Sequence, residues 1–572
     1  MKHIQKRSHF IEAFTSLKIS SQEAVIDGNS GLSADKNYYH VKRPVETELI
    51  ERLQHVQQQL KPQVVFLCGN VGDGKSHLLS YLKSVHPELL KNVRVHNDAT
   101  ESFSPQETAL DTLKKLLADF KDNPTLSHAE PQHLLIAINM GVLHKLISDE
   151  EVMAEYATLC QFIHESNLFN DQKIGGIKSH QHLHIVNLLE HQLYTIKEGK
   201  LTSTFFEQLL VKITQPTDDN LLYQAWLRDK NNGIKEIAHR NYQLLMDKTI
   251  QRNVIDVLLE AIFKGKLILS VRSFLDFING IVIPDTSQAE PTIDDCFPQL
   301  IFNQTGKTKL LDALYNLDPA KQRTLEYDQV LKNFMVDTNF DEMIARYIEN
   351  DQMIDCFWKN EAKIKENISQ SLGFLIRSVS LSKQRPTETS FKRFITMLYG
   401  CLTGKGDVAN ELVTLINNVQ TTLYSEGFGQ LVFDYRQKAK FAIGFDMSQF
   451  EVKDLHLFGA FSNETEITNF STTIKIDYGY KENENRQSLE IDYALYDFLS
   501  QVVTGYRPNR QALNKMTKYT DFIHQMIDNY PLTHNVFILN KETGYLVEMN
   551  EQKALFATDK NATQMTAKEY KR

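Results

Sequence analysis

Short apolar runs alternate with amphipathic stretches along the first half of the chain. The run QVVFLC at 63–68, bounded by Lys61, Pro62 and Gly69, is typical of a buried strand. Four further strand candidates follow: NVRVHND at 92–98, HLLIAINMG at 133–141, HLHIVNL at 182–188 and KLILSVR at 266–272. Strands that alternate with helices predict an α/β fold with a parallel sheet and right-handed crossovers. This pattern ends near Pro284.

Helical spacing of apolar residues separates these runs. The stretch PVETELIERLQHVQQQL begins with Pro44, a residue that suits the first turn of a helix. In SHLLSYLKSVH, a single stripe is formed by Leu78, Leu79, Leu82 and Val85. The stretch SPQETALDTLKKLLADF at 104–120 predicts a third helix. A helical segment therefore precedes the α/β region, and helices connect its strands.

The second half of the chain has a different pattern. Residues 285–450 are mainly helical, whereas strict alternation predicts strands after 450, with Phe470, Ile474, Ile476, Tyr478 and Tyr480 on one face. A further helix and a hairpin, NVFILNKETGYLVEM, follow near the C-terminus. We expect an N-terminal arm over 1–45, an α/β domain over 45–285, a helical domain over 286–450 and a mixed α/β domain over 451–572.

Composition narrows the class of protein. The chain has 572 residues and a formal net charge of −9, so any contact with DNA must come from a local patch or a partner. Its five cysteines form no C-x-x-C pair, which argues against a zinc module or a disulfide framework. The N-terminus lacks the apolar core of a signal peptide, and no apolar run is long enough to cross a membrane. These features predict a cytoplasmic protein.

A glycine-rich turn joins the first strand to the second helix. The sequence GNVGDGKS satisfies the G-x-x-x-x-G-K-[ST] pattern of a phosphate-binding loop (P-loop) in full. Such a loop turns successive backbone N–H groups into one concavity, and the helix N-terminus adds positive potential there. We expect Lys75 to reach the β- and γ-phosphates of ATP and the Ser76 hydroxyl to ligate Mg²⁺. The predicted nucleotide contacts are Gly69, Asn70, Val71, Gly72, Asp73, Gly74, Lys75, Ser76 and His77.

Hydrolysis needs a carboxylate at the tip of a neighbouring strand, and its position is ambiguous here. The third strand ends in Asn139, an amide that can hydrogen-bond water or phosphate but cannot act as a general base. The second strand instead offers Asp98, as a magnesium ligand or water activator, and Glu101. Asp98 also suits a helix cap. A magnesium or water role for Asp98 or Glu101, a polar role for Asn139 and a capping role for Asp98 all stay open.

Two further residues are expected near a γ-phosphate. Asn187 closes the fourth strand, where it is either a phosphate sensor or an ordinary strand-end asparagine. Arg272 follows the fifth predicted strand and would serve as an arginine finger in cis or across a subunit interface. The alternative for Arg272 is a surface salt bridge.

Two clusters favour a structural interpretation over chemistry. His180, His182 and His184 alternate on one predicted strand face, which indicates a polar face rather than a metal site. A basic stretch with interleaved aromatics is better explained as a solvated helix face than as a DNA contact: Arg377, Lys383, Arg385, Phe391, Lys392, Arg393 and Phe394.

Seven segments, in order along most of the chain, together resemble one family. They are SSQEAVIDGNSGLS, FLCGNVGDGKSHLLSYL, VHNDATESFSPQETALDTL, IAINMGVLHKL, VNLLEHQL, VRSFLDFINGIVIP and GYRPN. The chain resembles the DptF (DndF) family of bacterial phosphorothioation-dependent restriction proteins. The resemblance implies a P-loop ATPase subunit that works with partners of the DptG and DptH type against DNA lacking backbone sulfur.

The resulting expectation is a P-loop NTPase domain with a parallel sheet and an N-terminal helical segment, followed by helical and mixed α/β C-terminal domains. ATP and Mg²⁺ would be its cofactors, and DNA would be reached through the complex. A homo-oligomer fits the same pattern. The alternative is a nucleotide-gated scaffold that binds ATP with little hydrolysis and assembles the restriction partners. A self-contained DNA translocase is disfavoured by the single phosphate loop and the acidic balance.

Overall fold

The computed structural model divides the chain into two compact units, one over 1–195 and 201–386 and the other over 196–200 and 387–572. The predicted domain boundaries near 45, 285 and 450 stay predictions. The structure describes residues 8–26, 37–97, 108–122, 132–169, 176–285, 292–322, 324–336, 340–348, 350, 353, 368–383, 389–404, 406–425, 427–434, 436, 440–456, 466–480, 485–530, 534–549 and 554–559.

The first unit combines one mixed sheet with many helices. Its described strands are β1 (Val64–Cys68), β2 (Val93–His96), β3 (His133–Ile138), β4 (Ser179–His180) and β5 (Leu183–Asn187). Its described helices are α1 (His9–Ile26), α2 (Pro44–Gln57), α3 (Lys75–Val85), α4 (Ala109–Leu116), α5 (Met140–Ile147), α6 (Glu150–Glu155), α7 (Ala157–Glu165), α8 (Thr204–Thr214), α9 (Leu221–Asn231), α10 (Ile237–Leu245), α11 (Lys248–Gly265), α12 (Val271–Val282), α13 (Phe297–Phe302), α14 (Lys309–Asn316), α15 (Leu325–Val336), α16 (Phe340–Tyr347) and α17 (Ile368–Ser382).

The sheet places β1 at its centre. The strand order is β2-β3-β1-β5-β4, in which β2, β3, β1 and β5 run parallel and β4 pairs antiparallel with β5 at the edge. All five residues of β1 are buried, as expected for a strand covered on both faces. The prediction of an α/β fold with a parallel sheet core is therefore confirmed, and the antiparallel edge strand is an addition.

Alternate residues of β1 enter two separate apolar cores. Val64 and Phe66 pack in a cluster with residues of α4, α5 and α7. Val65 and Leu67 pack in a second cluster with residues of α2 and α3. The period of two along a strand explains this division, and it produces a helix–sheet–helix sandwich with helices on both faces. The α2 and α3 helices begin where the sequence predicts, although Val85 at the end of α3 is exposed rather than part of the buried stripe.

The N-terminal helix α1 is anchored to the same unit by a buried carboxylate. Asp229 accepts hydrogen bonds from the Ser8 hydroxyl at 2.7 Å and from the Phe10 backbone N–H at 2.9 Å. The rings of Phe10 and Phe14 pack against Tyr242. These donors satisfy a carboxylate whose charge would be very costly to bury without hydrogen-bond partners. The start of the described chain is thereby fixed in the core.

The fifth predicted strand, KLILSVR, is wrong. Lys266 adopts the left-handed conformation that ends α11, and the Leu267 N–H donates back to the Ile262 carbonyl. The Ser270 side chain then caps α12 by accepting from the Ser273 N–H. The residues between these two caps are too few for a ladder, and Ile268 is 76% exposed. The helix signals at both ends overrode the apolar run.

The prediction of three histidines on one strand face is also corrected. Gln181 has a φ of 51°, and it forms the turn between β4 and β5. His180 and His184 therefore belong to different strands. His184 is buried, with its Nε2 2.9 Å from the Gln63 side-chain oxygen and its Nδ1 3.1 Å from the Ser179 hydroxyl. These contacts are structural.

The second unit is a mixture of helices and antiparallel strands. Its elements are β6 (Thr195–Lys197) and β7 (Lys200–Thr202), which enclose residues 196–200, then α18 (Ser390–Thr403), α19 (Val408–Tyr424), β8 (Leu431–Asp434), β9 (Phe441–Asp446), β10 (Phe450–His456), β11 (Glu466–Ile467), β12 (Ile474–Tyr480), β13 (Gln487–Ile491), α20 (Tyr493–Val503), α21 (Arg510–Lys515), α22 (Thr517–Asp528), β14 (Val536–Asn540), β15 (Tyr545–Met549) and β16 (Ala554–Asp559).

Strands in this unit begin earlier than the predicted change near 450. They form sheets in the orders β16-β15-β14-β9-β8, β10-β12-β13 and β11-β6-β7. The predicted strand is confirmed as β12, where Ile474, Ile476, Tyr478 and Tyr480 are buried. Strict alternation is not observed, because Asp477 and Gly479 are buried as well, and Phe470 precedes the strand. The predicted C-terminal hairpin is confirmed as the antiparallel pair β14–β15. Within the described chain, no helix combines the length and apolar character needed to cross a membrane.

Candidate functional site

Residues 69–76, called here the glycine loop, connect the buried end of β1 to the start of α3. Gly72 has a φ of 87° and Gly74 a φ of 93°, both in the left-handed region that other residues rarely adopt. Gly74 is the N-cap of α3, so the helix begins at Lys75 and its first N–H groups face the loop. The two glycines thus create a tight turn at the N-terminus of an 11-residue helix.

Residues at the start of α12 pack closely against Gly72 of the glycine loop. A Cβ atom on Gly72 would lie 2.8 Å from the Ser270 hydroxyl oxygen and 3.1 Å from the Arg272 Cβ. The Arg272 backbone N–H donates to the Gly72 carbonyl oxygen at 3.3 Å. The segment predicted as a fifth strand is therefore a support for the glycine loop. Gly72 is required both by its backbone conformation and by this contact.

Internal hydrogen bonds hold the loop in a compact form. The Lys75 ammonium donates to the carbonyl oxygens of Gly69 and Asn70, each at 2.8 Å. The Asn70 N–H donates to an Asp73 carboxylate oxygen at 2.6 Å. Burial raises the pKa of Asp73, an effect opposed by the Asn70 N–H and by the charges of Lys75 and Arg43. The loop therefore contains a lysine and an aspartate side chain within one turn.

The remaining loop residues differ in their surroundings. Val71 is 72% exposed at the tip, and Ser76 is half-buried in the first turn of α3. The His77 Nε2 lies 3.1 Å from the His40 Nδ1, so this ring is engaged with the preceding part of the chain. Serine and lysine are thus adjacent at the helix start, where the motif requires them.

The strands on either side of β1 bring Asn139 and Asn187 to the loop edge of the sheet. Cys68, the last residue of β1, is in register with Ile138 of β3 and with Asn187 of β5. The Asn139 Oδ1 accepts from the Val142 N–H at 2.8 Å and caps α5, and the Asn187 Oδ1 accepts from the Leu189 N–H at 3.1 Å. The side-chain oxygen of each asparagine therefore accepts a hydrogen bond from the backbone, and the Nδ2 group is the hydrogen-bond donor of the amide.

Three further predicted site residues are Asp98, Glu101 and Arg272. Asp98 and Glu101 lie outside the described residues. The strand that precedes them, β2, pairs with β3 and is not adjacent to β1. Arg272 is half-buried. Burial raises the pKa of Asp276, and the nearby charges of Lys18 and Arg272 oppose this effect. Its backbone contacts the glycine loop, as described above.

Sequence reasoning missed the contribution of residues just before α2. The Arg43 guanidinium donates to the Asp73 carbonyl oxygen at 2.6 Å. His40 lies 3.0 Å from the Glu46 carboxylate, and its ring stacks on Tyr81 with centroids 3.7 Å apart. Burial lowers the pKa of Arg43, while the nearby carboxylates of Asp73 and Glu46 oppose this effect. No local motif marks these contacts, because they depend on the approach of α2 to α3.

An ion-pair cluster stands beside the turn that follows β5. The Lys178 ammonium lies 2.9 Å from Glu48 and 2.8 Å from Glu190, and His191 lies 2.7 Å from Glu48. Burial would raise the pKa of Glu48, but hydrogen bonds from His191 and Lys178 outweigh it and lower this pKa to about 2. Glu48 is thus ionised, and its two carboxylate oxygens are paired with Lys178 and His191. Both glutamates hold the turn in place.

Two alternative sites receive no support. Among the described residues, no group of three or more His, Cys, Asp or Glu side chains is arranged to hold a metal ion. In the basic stretch, Arg377 is buried and ion-paired with Asp318 at 2.6 Å, and Phe391 and Phe394 are buried. Arg385 lies outside the described residues. The DNA interpretation of this stretch therefore has no support from Arg377 or from the two aromatic rings.

Comparison with known proteins adds no identity. No protein-family model matches the chain, and no curated protein matches its sequence.

Proposed function

We propose that the chain binds ATP with Mg²⁺ at the glycine loop and hydrolyses it as a subunit of a DNA phosphorothioation-dependent restriction complex acting on unmodified DNA. One observation carries the nucleotide-binding part. The complete G-x-x-x-x-G-K-S sequence stands between a buried parallel strand and an 11-residue helix, with left-handed glycines at 72 and 74. This combination supplies the backbone donors, the lysine and the hydroxyl that a nucleoside triphosphate requires.

The chain's own residues fit this ligand. The Lys75 ammonium, now bonded to two loop carbonyls, would exchange those acceptors for phosphate oxygens. Ser76 would hold Mg²⁺, and the bound Mg²⁺ would neutralise phosphate charge. The Nδ2 groups of Asn139 and Asn187 would donate to phosphate or to water. Neither asparagine removes a proton, so a base must come from another residue or from a partner.

The restriction role rests on the resemblance to the DptF (DndF) family. Under this proposal, ATP binding and hydrolysis would order or release segments that contact partners of the DptG and DptH type, and DNA would be reached through the complex. Arg272 is well placed to respond to the nucleotide, because its backbone already contacts Gly72. The same proposal includes an arginine-finger role for the Arg272 side chain, in cis or across the interface of a homo-oligomer.

A specific observation supports a second candidate, a nucleotide-gated scaffold with little hydrolysis. Asn139 directly follows β3 and Asn187 ends β5, and the side-chain oxygens of both amides accept backbone N–H groups. Phosphate release from ATP distinguishes the ATPase from the scaffold. It is measured with the isolated chain and then with both partner types and unmodified DNA. Turnover above about 0.1 per second in the assembled mixture supports the ATPase, since enzymes turn over at roughly 1 per second or faster. ATP binding without turnover supports the scaffold.

A further inference from the structure

Arg43 reaches the glycine loop from outside the motif. Its Nη1 donates to the Asp73 carbonyl oxygen at 2.6 Å and would lie 3.6 Å from a Cβ built on Gly74. The guanidinium also lies over the Phe205 ring, 5.8 Å from its centroid. Arg43 is itself the N-cap of α2. One side chain therefore joins the start of α2, a residue of α8 and the turn of the loop.

The bond to Asp73 controls the direction of a loop N–H. In a planar trans peptide, the carbonyl oxygen of one residue and the N–H of the next point to opposite sides. Because the Asp73 carbonyl faces Arg43, the Gly74 N–H must point away from Arg43. Within the described chain, the Gly74 N–H meets no acceptor. This is the arrangement in which a backbone donor is presented to an anion.

The neighbouring Gly72–Asp73 peptide is also held from a second element, although its own N–H, that of Asp73, donates within the loop to the Asn70 carbonyl oxygen at 3.4 Å. The Arg272 N–H donates to the Gly72 carbonyl, which fixes the plane of the Gly72–Asp73 peptide. Arg43 and the start of α12 therefore orient two successive peptides of the loop. The Arg43 contact uses a charged donor, so it is the stronger of the two and adds positive potential behind the turn.

We propose that Arg43 is a positioning residue for the nucleotide site: it orients the Gly74 N–H toward the phosphates by holding the Asp73 carbonyl. This inference rests on the proposed ATP binding. It assigns Arg43 no direct contact with the nucleotide. A single donor to the Asp73 carbonyl is what the role requires, so lysine at this position preserves part of it, although lysine loses the planar contact with Phe205.

The test is calorimetric binding of ATP and ADP to wild type, Arg43→Ala, Arg43→Lys and the matched control Lys42→Ala, whose side chain is exposed in the same segment. Arg43→Ala is expected to raise the Kd for both nucleotides by about tenfold or more, the scale of one lost charge-assisted hydrogen bond. Arg43→Lys should keep part of the affinity, and millimolar guanidinium added to Arg43→Ala should restore part of it. Lys42→Ala should bind as wild type does.

A purely structural role would not be repaired by a small soluble cation. Equal affinity of wild type and Arg43→Ala, or a loss that neither lysine nor guanidinium restores, overturns the inference. If Arg43→Ala does not fold, Arg43→Met, which keeps an apolar stem but has no donor for the Asp73 carbonyl, is compared with Lys42→Ala, and an unchanged Kd in Arg43→Met overturns the inference. Wild-type protein that binds neither nucleotide refutes the proposed function instead.

Discussion

The Arg272 backbone N–H donates to the Gly72 carbonyl oxygen, although the two residues are far apart in the chain. This bond joins the first turn of α12 to the turn between β1 and α3. The Ser270 hydroxyl, which caps α12, would be only 2.8 Å from a Cβ on Gly72. The glycine loop is thus not an isolated turn: its shape depends on helices before and after the sheet. Changes at either contact should alter the loop together with the proposed affinity for ATP.

Replacement of Gly72 by alanine tests this packing. The added methyl would meet Ser270 and would hold a non-glycine residue at a φ of 87°. We expect Gly72→Ala to lower the free energy of unfolding by about 2 kcal/mol, the scale of a strained left-handed residue. Denaturant unfolding measures the change.

Gly280 provides the matched control for Gly72. It lies in α12, and a Cβ there would meet nothing within 4 Å. Gly280→Ala should therefore stabilise the protein by about 0.5 kcal/mol through helix propensity. Indistinguishable unfolding curves for Gly72→Ala and wild type would contradict the account of the loop packing.

Asn139 combines a cap with a proposed ligand contact, and two variants separate these roles. Asn139→Ala removes the acceptor for the Val142 N–H and should cost about 1 kcal/mol of stability. Asn139→Asp keeps the acceptor, so its stability should stay near that of wild type. It replaces the Nδ2 donor with a negative charge, so its ATP affinity should fall. An aspartate variant that binds ATP as tightly as wild type would exclude a phosphate contact by Asn139.

The Glu48 cluster predicts a defined dependence of stability on pH. Its folded-state pKa of about 2 lies below the ordinary 4.5, so ionised Glu48 stabilises the fold above pH 4.5. This contribution is lost as the pH falls from 4.5 toward 2. Glu48→Gln should cost about 1–2 kcal/mol at neutral pH, less than the full shift implies because solvent screens a partly exposed pair.

Glu51 serves as the comparison, since it is exposed on the same helix. Glu51→Gln should change the stability by less than about 0.5 kcal/mol at any of these pH values. A difference between Glu48→Gln and wild type that persists undiminished at acid pH would show that the lost stability does not come from the charge of Glu48.

The sequence predicts the fold well where the signals are local. Pro44 and the buried run at 64–68 define α2 and β1, because a fixed φ and a continuous apolar strand need no tertiary information. At 266–272 the apolar run suggests a strand, yet Lys266 in the left-handed region and the Ser270 cap leave no length for one. Arg43 illustrates the limit for the site. Its contact with Asp73 depends on how α2 packs on α3, which no spacing in the sequence encodes.

Calorimetric titration of Mg²⁺-ATP into wild type, Lys75→Ala and Lys91→Ala tests nucleotide binding at the glycine loop. Lys75 is the cation of the glycine loop, whereas Lys91 is an exposed lysine beyond α3. Unfolding curves of all three proteins verify that the variants are folded. We expect saturable binding by wild type and Lys91→Ala and none by Lys75→Ala, because Lys75 would supply the charge that meets the phosphates. Equal ATP affinity of Lys75→Ala and wild type would contradict this expectation.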